Sequence, residues 1–281
     1  MRASPSTRAA PKRRRPAKIG PESHKSEAPR SSEAAARRLA VVIGHGAQGA
    51  ARARALAREG ARSRADLKRP AVLARLPREA QANVLYNLAR GVPLAEAEAV
   101  AAEVRRRLVF APARPAAVVV VGSVRRLAPR VKDLDFLVVA PPGLSPADRD
   151  RLLASAALRP RRPGDRLAIA DTYAAGARHR ALVLCAPAQP RPSARRRCYR
   201  VDLFLCAASE KPFALFHYTG AKAYNIRTRA LAKKKGWRLN QYGLFEVETG
   251  LPVRGSAAIR TERDLARFLG VSHREPPDRT R

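Results

Sequence analysis

The 281-residue sequence predicts an α+β protein in which helices come first, a β-sheet follows and a small α/β unit ends the chain. Up to about residue 110, apolar side chains recur with the spacing of amphipathic helices. From Pro115 onward, short β-branched runs alternate with turn-forming residues, as in buried strands. Apolar residues make up 46% of the chain, which is enough for one elongated domain or two small ones.

Basic residues dominate the charge of the chain. It carries 57 Lys and Arg against 23 Asp and Glu, a formal net charge of +34. This surplus favours a polyanionic partner, because each phosphate contact releases a condensed counterion. A GC-rich genome would also raise the arginine content, so composition alone leaves that explanation open. No apolar stretch is long enough to span a membrane, so we expect no membrane partner.

Two features bear on localisation. Residues 1–32 are rich in Pro, Ser, Lys and Arg and nearly lack large apolar side chains, which predicts a disordered basic tail. Its segment PKRRRPAK is typical of a nuclear-targeting signal, a DNA-binding arm or a merely solvated tail. The three cysteines, Cys185, Cys198 and Cys206, are odd in number and have no CxxC spacing, which predicts reduced thiols in an intracellular protein.

Residues 33–110 are predicted to form a helical subdomain. Within 33–60, Gly44 and Gly46 bracket a turn between two Ala-rich helices. The backbone N–H groups of such a turn can hold a DNA phosphate without reading bases, although a plain αα-hairpin has the same pattern. Further helices are expected at 63–70, 76–87 and 93–108.

The middle of the chain is predicted to supply a sheet. The strand candidates are 117–121, 136–140, 180–185 and 199–206. Residues 186–197 form a Pro/Arg-rich loop, and Ser145 caps a helix.

The end of the chain is predicted to be a small α/β unit. A helix is expected over 219–236, with Thr219 as its cap and Gly236 as its stop. GLFEV and LPV are expected to pair as strands, and residues 261–270 form a capped helix.

Two carboxylates open the strand that follows the first basic turn. Asp133 and Asp135 are two residues apart, so in a strand their side chains project from one face. Two carboxylates at such a short distance repel each other unless a cation or a proton lies between them. Mg²⁺ is the hard cation expected beside phosphates. Asp202, inside another strand candidate, would supply a third carboxylate for a two-metal site.

A possible phosphate site precedes these acids. The strand ending at Gly122-Ser123 turns at once into basic sequence, offering backbone N–H groups, a hydroxyl and the side chains of Arg125 and Arg126. Alone, DxD could be a polar patch on an edge strand, and Gly-Ser an ordinary turn. Together with the third aspartate they indicate a site for a nucleoside triphosphate on Mg²⁺.

These motifs resemble the Gly-Ser and DxD signature of the nucleotidyltransferase superfamily and, within it, the family X DNA polymerases, the relatives of DNA polymerase beta. Three stretches carry the resemblance: GSVRR with DLDFLVV, the YRVDLF strand, and FHYTG with the helix and the NQYGLF segment that follow it. It spans about residues 40–275. The segment 216–245 is similar in particular to a short viral repair polymerase of this family, which hints at a large DNA virus.

The resemblance implies a nucleotidyltransferase-type palm with a mixed sheet at 111–215. A helix-hairpin-helix DNA-binding subdomain at 33–110 would precede it, and a nucleotide-selecting subdomain at 216–281 would follow. The implied activity is the addition of dNTPs to a primer 3′-hydroxyl with two Mg²⁺ ions, for which Mn²⁺ could substitute, in short-gap DNA repair. The implied partners are gapped or nicked duplex DNA and dNTPs, the chain acting as a monomer in the nucleus, a viral replication site or the virion.

The resemblance also assigns roles to residues. Asp133, Asp135 and Asp202 would bind metal, with Asp202 also the base for the primer hydroxyl and Arg200 its orienting partner. Gly122, Ser123 and Arg126 would bind the triphosphate, and a sugar-holding turn would consist of His217, Tyr218, Thr219 and Gly220. Asn225 would contact the incoming base and Arg229 the template strand, while Gly44 and Gly46 would bind the DNA backbone.

The sequence departs from the family pattern in two respects. Only the basic tail precedes the helix-hairpin-helix segment, so we expect no lyase domain. His217 stands where many relatives have Tyr, which leaves base preference open. The alternatives to a templated DNA polymerase are a template-independent, RNA- or small-molecule-directed nucleotidyltransferase and a catalytically inactive DNA-binding protein.

Overall fold

The computed structural model describes residues 27–44, 46–111, 113–187 and 196–280. The predicted tail up to residue 26 and the loop centre at 188–195 lie outside the described residues. The first helix, α1, spans Glu27–Ile43, so the predicted disorder is wrong for residues 27–32. Pro29 is compatible with helix there because it falls in the first turn, where a backbone N–H has no partner within the helix.

The N-terminal helices form a core of their own. Packing of α1 against α2 (Ala47–Arg58) gives the predicted helical hairpin. The short helices α3 (Arg64–Leu67) and α4 (Pro70–Leu73) and the longer α5 (Arg78–Tyr86) follow. The buried side chains of this core include Leu39, Leu56, Leu67 and Val84.

The next helix joins the palm. Strand β1 (Val92–Pro93) leads into α6 (Leu94–Arg107), which is followed by β2 (Leu108–Val109). The apolar residues of α6 that share one face, such as Val100 and Val104, pack in the same cluster as residues of the sheet. Helix α6 therefore contributes to the palm core, although the sequence groups it with the helices before it.

The palm is a five-stranded mixed sheet, as the sequence predicts. Its strands in chain order are β3 (Ala117–Val120), β5 (Asp133–Val139), β7 (Ala168–Ala175), β8 (His179–Cys185) and β9 (Cys198–Cys206). Their order across the sheet is β3-β5-β9-β8-β7. Strands β5 and β9 are parallel and the other neighbours antiparallel. Strand β7 was not predicted, because AIADTYAA is an edge strand of mostly small, partly exposed residues with no strong β-branched run.

Short elements connect the sheet strands. Helix α7 (Gly122–Arg125) follows β3, and β4 (Arg130–Val131) pairs with β1. The expected capped helix is α8 (Pro146–Ala154), and β6 (Ala157–Leu158) pairs with β2.

The C-terminal unit contains α9 (Lys211–Thr219), α10 (Lys222–Lys234), β10 (Trp237–Leu239), β11 (Leu244–Glu246) and α11 (Glu262–Leu269). Its core is formed by Phe213, Leu239 and Leu265 together with their neighbours. Within the described ranges, no helix combines the length and hydropathy needed to cross a membrane.

One expectation for this unit is wrong and another is confirmed. Thr219 is the last residue of α9 and not a helix start, because Gly220 with φ +70° ends that helix and Ala221 is the N-cap of α10. The strand GLFEV pairs with LPV as the sequence predicts, through an antiparallel bridge from Phe245 to Pro252 and two flanking backbone hydrogen bonds, but its longer pairing is with β10. The tight β10–β11 connection makes the local partner the favoured one.

Two of the three predicted thiols are joined instead. Cys185 and Cys198 form a disulfide, with Cα atoms 4.0 Å apart, because the antiparallel register of β8 and β9 sets them opposite each other. Cys206 is free, and burial raises the pKa of its thiol to about 12. Spacing in the sequence could not reveal a pairing that depends on strand register.

Candidate active site

The sheet brings the three predicted carboxylates together. Asp133 and Asp135 project from one face of β5, and Asp202 lies directly beside Asp135 on the parallel strand β9. One carboxylate oxygen from each residue lies within 4.8 Å of those from the other two. Asp202 is only 2% exposed. Three oxygens at this separation form a donor set suited to a hard divalent cation.

Burial and mutual repulsion disfavour charge on this cluster. Burial raises the pKa of Asp133, with Asp202 adding to the effect and Arg200 opposing it. Burial raises the pKa of Asp135 well above its usual range, and the charges of Asp133 and Asp202 raise it further. A cation placed among the carboxylates would remove this repulsion, so the electrostatics of the site also fit a metal.

Two side chains hold Asp202 from opposite sides. Arg200 donates from Nε to Oδ2 at 2.8 Å, as the sequence predicts, and His179 Nε2 lies 2.8 Å from Oδ1. Burial alone would lower the pKa of Arg200, but Asp202, Tyr173 and Glu79 raise it, so the guanidinium stays charged. Glu79, from α5, accepts a hydrogen bond from Arg200 Nη1 at 2.6 Å.

His179 and Glu79 were not predicted as site residues. Each lies far from Asp202 in the sequence and outside any motif. His179 reaches Asp202 through the pairing of β8 with β9, and Glu79 reaches Arg200 through the packing of α5 on the palm. The sequence signal available for His179 is its place immediately before the strand candidate 180–185.

Gly122 and Ser123 lie against the acidic cluster. Gly122 adopts φ +62°, and a Cβ added there would lie 1.9 Å from Asp135 Oδ2. The backbone N–H of Val121 donates to the carbonyl of Asp135 at 2.8 Å, which fixes α7 beside β5. Ser123 Oγ is buried and has no hydrogen-bond partner among the residues that the structure describes. An orphaned hydroxyl next to a cation-binding cluster is suited to a phosphate oxygen.

The two arginines after Ser123 have different partners. Arg126 donates from Nη1 to the carbonyl of Thr219, while its buried Nε has no partner within the described ranges. Burial lowers the pKa of Arg126, and Asp135 and Asp133 oppose that effect. Arg125 was expected beside the phosphates, but it donates instead to Thr219 Oγ1 and, at 2.6 Å, to Glu262. Both Nη atoms of Arg125 are therefore engaged away from the phosphate site, whereas Arg126 keeps a buried donor without a partner among the described residues.

The predicted sugar-holding turn is the end of a helix. His217, Tyr218 and Thr219 form the last turn of α9, and Gly220 ends it, followed by a cis peptide bond to Ala221. Tyr218 stacks on Phe204 with ring centroids 4.1 Å apart. The contacts of Arg126 and Arg125 with Thr219 join this helix end to the Gly-Ser segment.

Asn225 and Arg229 meet at His217. Asn225 donates from Nδ2 to the His217 carbonyl at 2.7 Å, and in the described part of the chain its buried Oδ1 has no partner. Arg229 Nη2 lies 2.5 Å from His217 Nδ1. Burial and the charge of Arg229 lower the pKa of His217 to about 4, so the imidazole is neutral at physiological pH and accepts that hydrogen bond.

The two glycines predicted to bind DNA lie at the α1–α2 junction. Gly44 has φ +129° and Gly46 is the N-cap of α2, whereas residue 45 lies outside the described residues. Gly49 was missed: a Cβ there would lie 2.2 Å from the Gly44 carbonyl oxygen. The third glycine of GHGAQG therefore permits the close approach of α2 to the preceding turn.

Comparisons with known proteins agree with this geometry. Residues 214–280 match the family model for the DNA polymerase beta thumb. The repair DNA polymerase X of the Badajoz strain of African swine fever virus is 35% identical over 162 residues, 58% of this chain and 80% of that protein. That of a Kenyan pig isolate is 48% identical over 84 residues, 30% of this chain and 46% of that protein, so this alignment spans about half of the relative.

More distant relatives extend the comparison. Rat DNA polymerase lambda is 34% identical over 98 residues, 31% of this chain and 16% of that protein. A ternary P/T complex of Leishmania infantum polymerase beta superposes with a TM-score of 0.64 and 22% identity, covering 89% of this chain and all of that chain.

The mixed sheet, the Gly-Ser segment and the three converging carboxylates define a palm of the nucleotidyltransferase class. Within that class, the chain belongs to the family X DNA polymerases. The resemblance expected from the sequence, including the likeness to a short viral repair polymerase, is thereby confirmed.

Proposed function

We propose that this protein is a DNA-directed DNA polymerase that adds dNTPs to a primer 3′-hydroxyl and fills short gaps during DNA repair. The observation that carries the proposal is the convergence of Asp133, Asp135 and Asp202 beside Gly122 and Ser123. Membership of family X and the repair role in the names of the viral relatives support it.

The carboxylates have the roles expected of a two-metal site. Asp133, Asp135 and Asp202 would hold two divalent cations, for which Mg²⁺ is our proposal, with Mn²⁺ as a substitute. When bound, such ions stabilise the attacking and leaving oxygens of an in-line displacement. Asp202, held by Arg200, accepts the proton of the primer hydroxyl as its oxygen attacks the α-phosphorus and the bond to pyrophosphate breaks.

The unpartnered polar atoms mark where the nucleotide would bind. Ser123 Oγ and Arg126 Nε are buried donors without partners among the described residues, and both are suited to triphosphate oxygens. Asn225 Oδ1 is a buried acceptor available to the incoming base, and Tyr218 lies close to the helix end that would hold the sugar. Arg229 and the α1–α2 junction would contact the DNA strands.

Gapped or nicked duplex is the proposed substrate. The Leishmania polymerase is described in both a P/T and a gap complex, and the net charge of +34 suits a phosphate backbone. We propose action as a monomer inside the cell, in the nucleus or at a viral replication site.

A primer-extension assay tests the proposal. Wild-type protein with Mg²⁺ should extend a labelled primer at a single-nucleotide gap with the complementary dNTP, and Asp133→Ala should abolish extension while retaining DNA binding. Extension of single-stranded RNA or use of NTPs alone would favour another nucleotidyltransferase. Absence of pyrophosphate release with either Mg²⁺ or Mn²⁺ would favour an inactive DNA-binding protein.

A further inference from the structure

Asp202 has a second partner besides Arg200. His179, on β8, places Nε2 2.8 Å from Oδ1, whereas Arg200 binds Oδ2. The side chain of Asp202 is 3% exposed and that of His179 is 42% exposed. Both oxygens of the Asp202 carboxylate are therefore engaged, and the two contacts together restrain its rotation.

His179 is itself fixed by an aromatic stack. Its ring lies nearly parallel to Phe204, with centroids 4.9 Å apart and an interplanar angle of 11°. Phe204 stacks in turn on Tyr218, with centroids 4.1 Å apart. The stack runs from the third carboxylate of the palm to the end of α9, where the nucleotide would bind.

We propose that His179 is a positioning residue for Asp202, holding Oδ1 through Nε2 while the stack with Phe204 and Tyr218 holds the imidazole ring. The proposal rests on the function proposed above. It gives Asp202 a restraint that Arg200 alone cannot supply, because one hydrogen bond to Oδ2 still permits the carboxylate to rotate. The acid then keeps the same orientation before and after the primer arrives.

Two substitutions separate the hydrogen bond from the stack. His179→Phe keeps a ring against Phe204 and removes the bond to Asp202. His179→Gln supplies an amide N–H that can reach Oδ1 and removes the ring. His273→Gln is the matched control, because His273 pairs with Glu275 in the C-terminal unit and does not touch the site.

Single-nucleotide gap filling is the first measurement. His179→Phe should lower kcat about tenfold with KM for dNTP within about twofold, as expected for loss of an oriented catalytic group. His179→Gln should recover kcat to within about threefold of wild type, and His273→Gln should match wild type. A His179→Phe enzyme with unchanged kcat, a loss confined to KM, or equal losses in the Phe and Gln variants would overturn the proposal.

Binding of Mn²⁺ to the DNA-free protein, followed by electron paramagnetic resonance, is the second measurement. His179→Phe should weaken Mn²⁺ binding at least about threefold, and His179→Gln should not, because a mobile carboxylate is a poorer ligand. Equal Mn²⁺ affinity in wild type and His179→Phe would contradict the positioning role. Thermal unfolding checks that each variant is folded, and His179→Met replaces His179→Phe if the latter is not.

The two proposals fail in different ways. If wild-type protein does not extend the primer, the proposed function fails, and the Mn²⁺ comparison still tests whether His179 orients Asp202. If wild type extends and His179→Phe extends equally well, only the positioning role of His179 fails.

Discussion

Gly122 offers the sharpest test of the geometry around the carboxylates. Its φ is +62°, and a Cβ placed on it would lie 1.9 Å from Asp135 Oδ2 and 2.8 Å from Asp135 Cγ. Gly122→Ala should therefore displace the carboxylate of Asp135 from its position between Asp133 and Asp202.

The size of the effect follows from two contributions. An L-residue at this φ costs about 1–2 kcal/mol of stability. The overlap forces Asp135 Oδ2 outward by about 1 Å, because a carbon and an oxygen that are not bonded do not approach below about 3 Å. Misplacing a catalytic group by about 1 Å costs on the order of a hundredfold in rate.

The assay compares Gly122→Ala with Gly143→Ala by single-nucleotide gap filling at saturating Mg²⁺. Gly143 has φ +76°, but no atom of the described residues lies within 4 Å of an added Cβ, so its variant carries the backbone strain without the clash. We expect about a hundredfold loss of kcat for Gly122→Ala and less than about a twofold loss for Gly143→Ala. Activity of Gly122→Ala within about threefold of wild type would refute the reasoning.

Three further outcomes are expected. Glu79→Gln removes the charge that faces Arg200 at 2.6 Å and should lower kcat by about two- to fivefold while leaving primer binding unchanged. In an Arg200→Lys background, Glu79→Gln should have no further effect on kcat, and an effect that persists in that background would count against the contact. In EDTA, the stability gained from the raised pKa values of Asp133 and Asp135 should be fully present below the ordinary carboxyl pKa and lost as pH rises through the raised values. Urea unfolding midpoints measured against pH should show this fall, and either added Mg²⁺ or the substitution Asp135→Asn should make it smaller. The same pH slope for wild type in EDTA, wild type in Mg²⁺ and Asp135→Asn would contradict the prediction. Arg279→Met removes the fully buried partner of Glu262 at 2.7 Å. It should lower the free energy of unfolding by about 2–4 kcal/mol in urea titrations, because it leaves a buried charge without one of its partners. A loss below about 0.5 kcal/mol would show that Arg125 alone satisfies Glu262.

Local patterns were enough to predict the elements that carry the chemistry. Asp133 and Asp135 share a face because side chains alternate along a strand, and the charge of Asp202 is costly inside an apolar strand. Both observations indicate a cation site from the sequence alone. Thr261 and Ser145 cap their helices as the sequence predicts, because capping depends on residues three positions apart.

Contacts between distant segments were beyond the sequence. His179 and Glu79 reach the Asp202–Arg200 pair through strand register and helix packing, and the Cys185–Cys198 disulfide depends on the same register. The sequence predicts Thr219 as a helix start because Thr is a favoured N-cap residue, whereas in the structure KPFALFHYT is a helix that ends there. A Thr-Gly pair fits either side of a helix boundary, and only the φ of Gly220 decides between them.

The most direct test of the central claim is a crystal structure with Mn²⁺, gapped DNA and a non-hydrolysable dNTP, with anomalous scattering to locate the metal. We predict two Mn²⁺ ions about 3.5–4 Å apart among Asp133, Asp135 and Asp202, with the triphosphate against Ser123 and Arg126. Metal bound elsewhere, or a triphosphate that leaves Ser123 Oγ without a partner, would contradict the account.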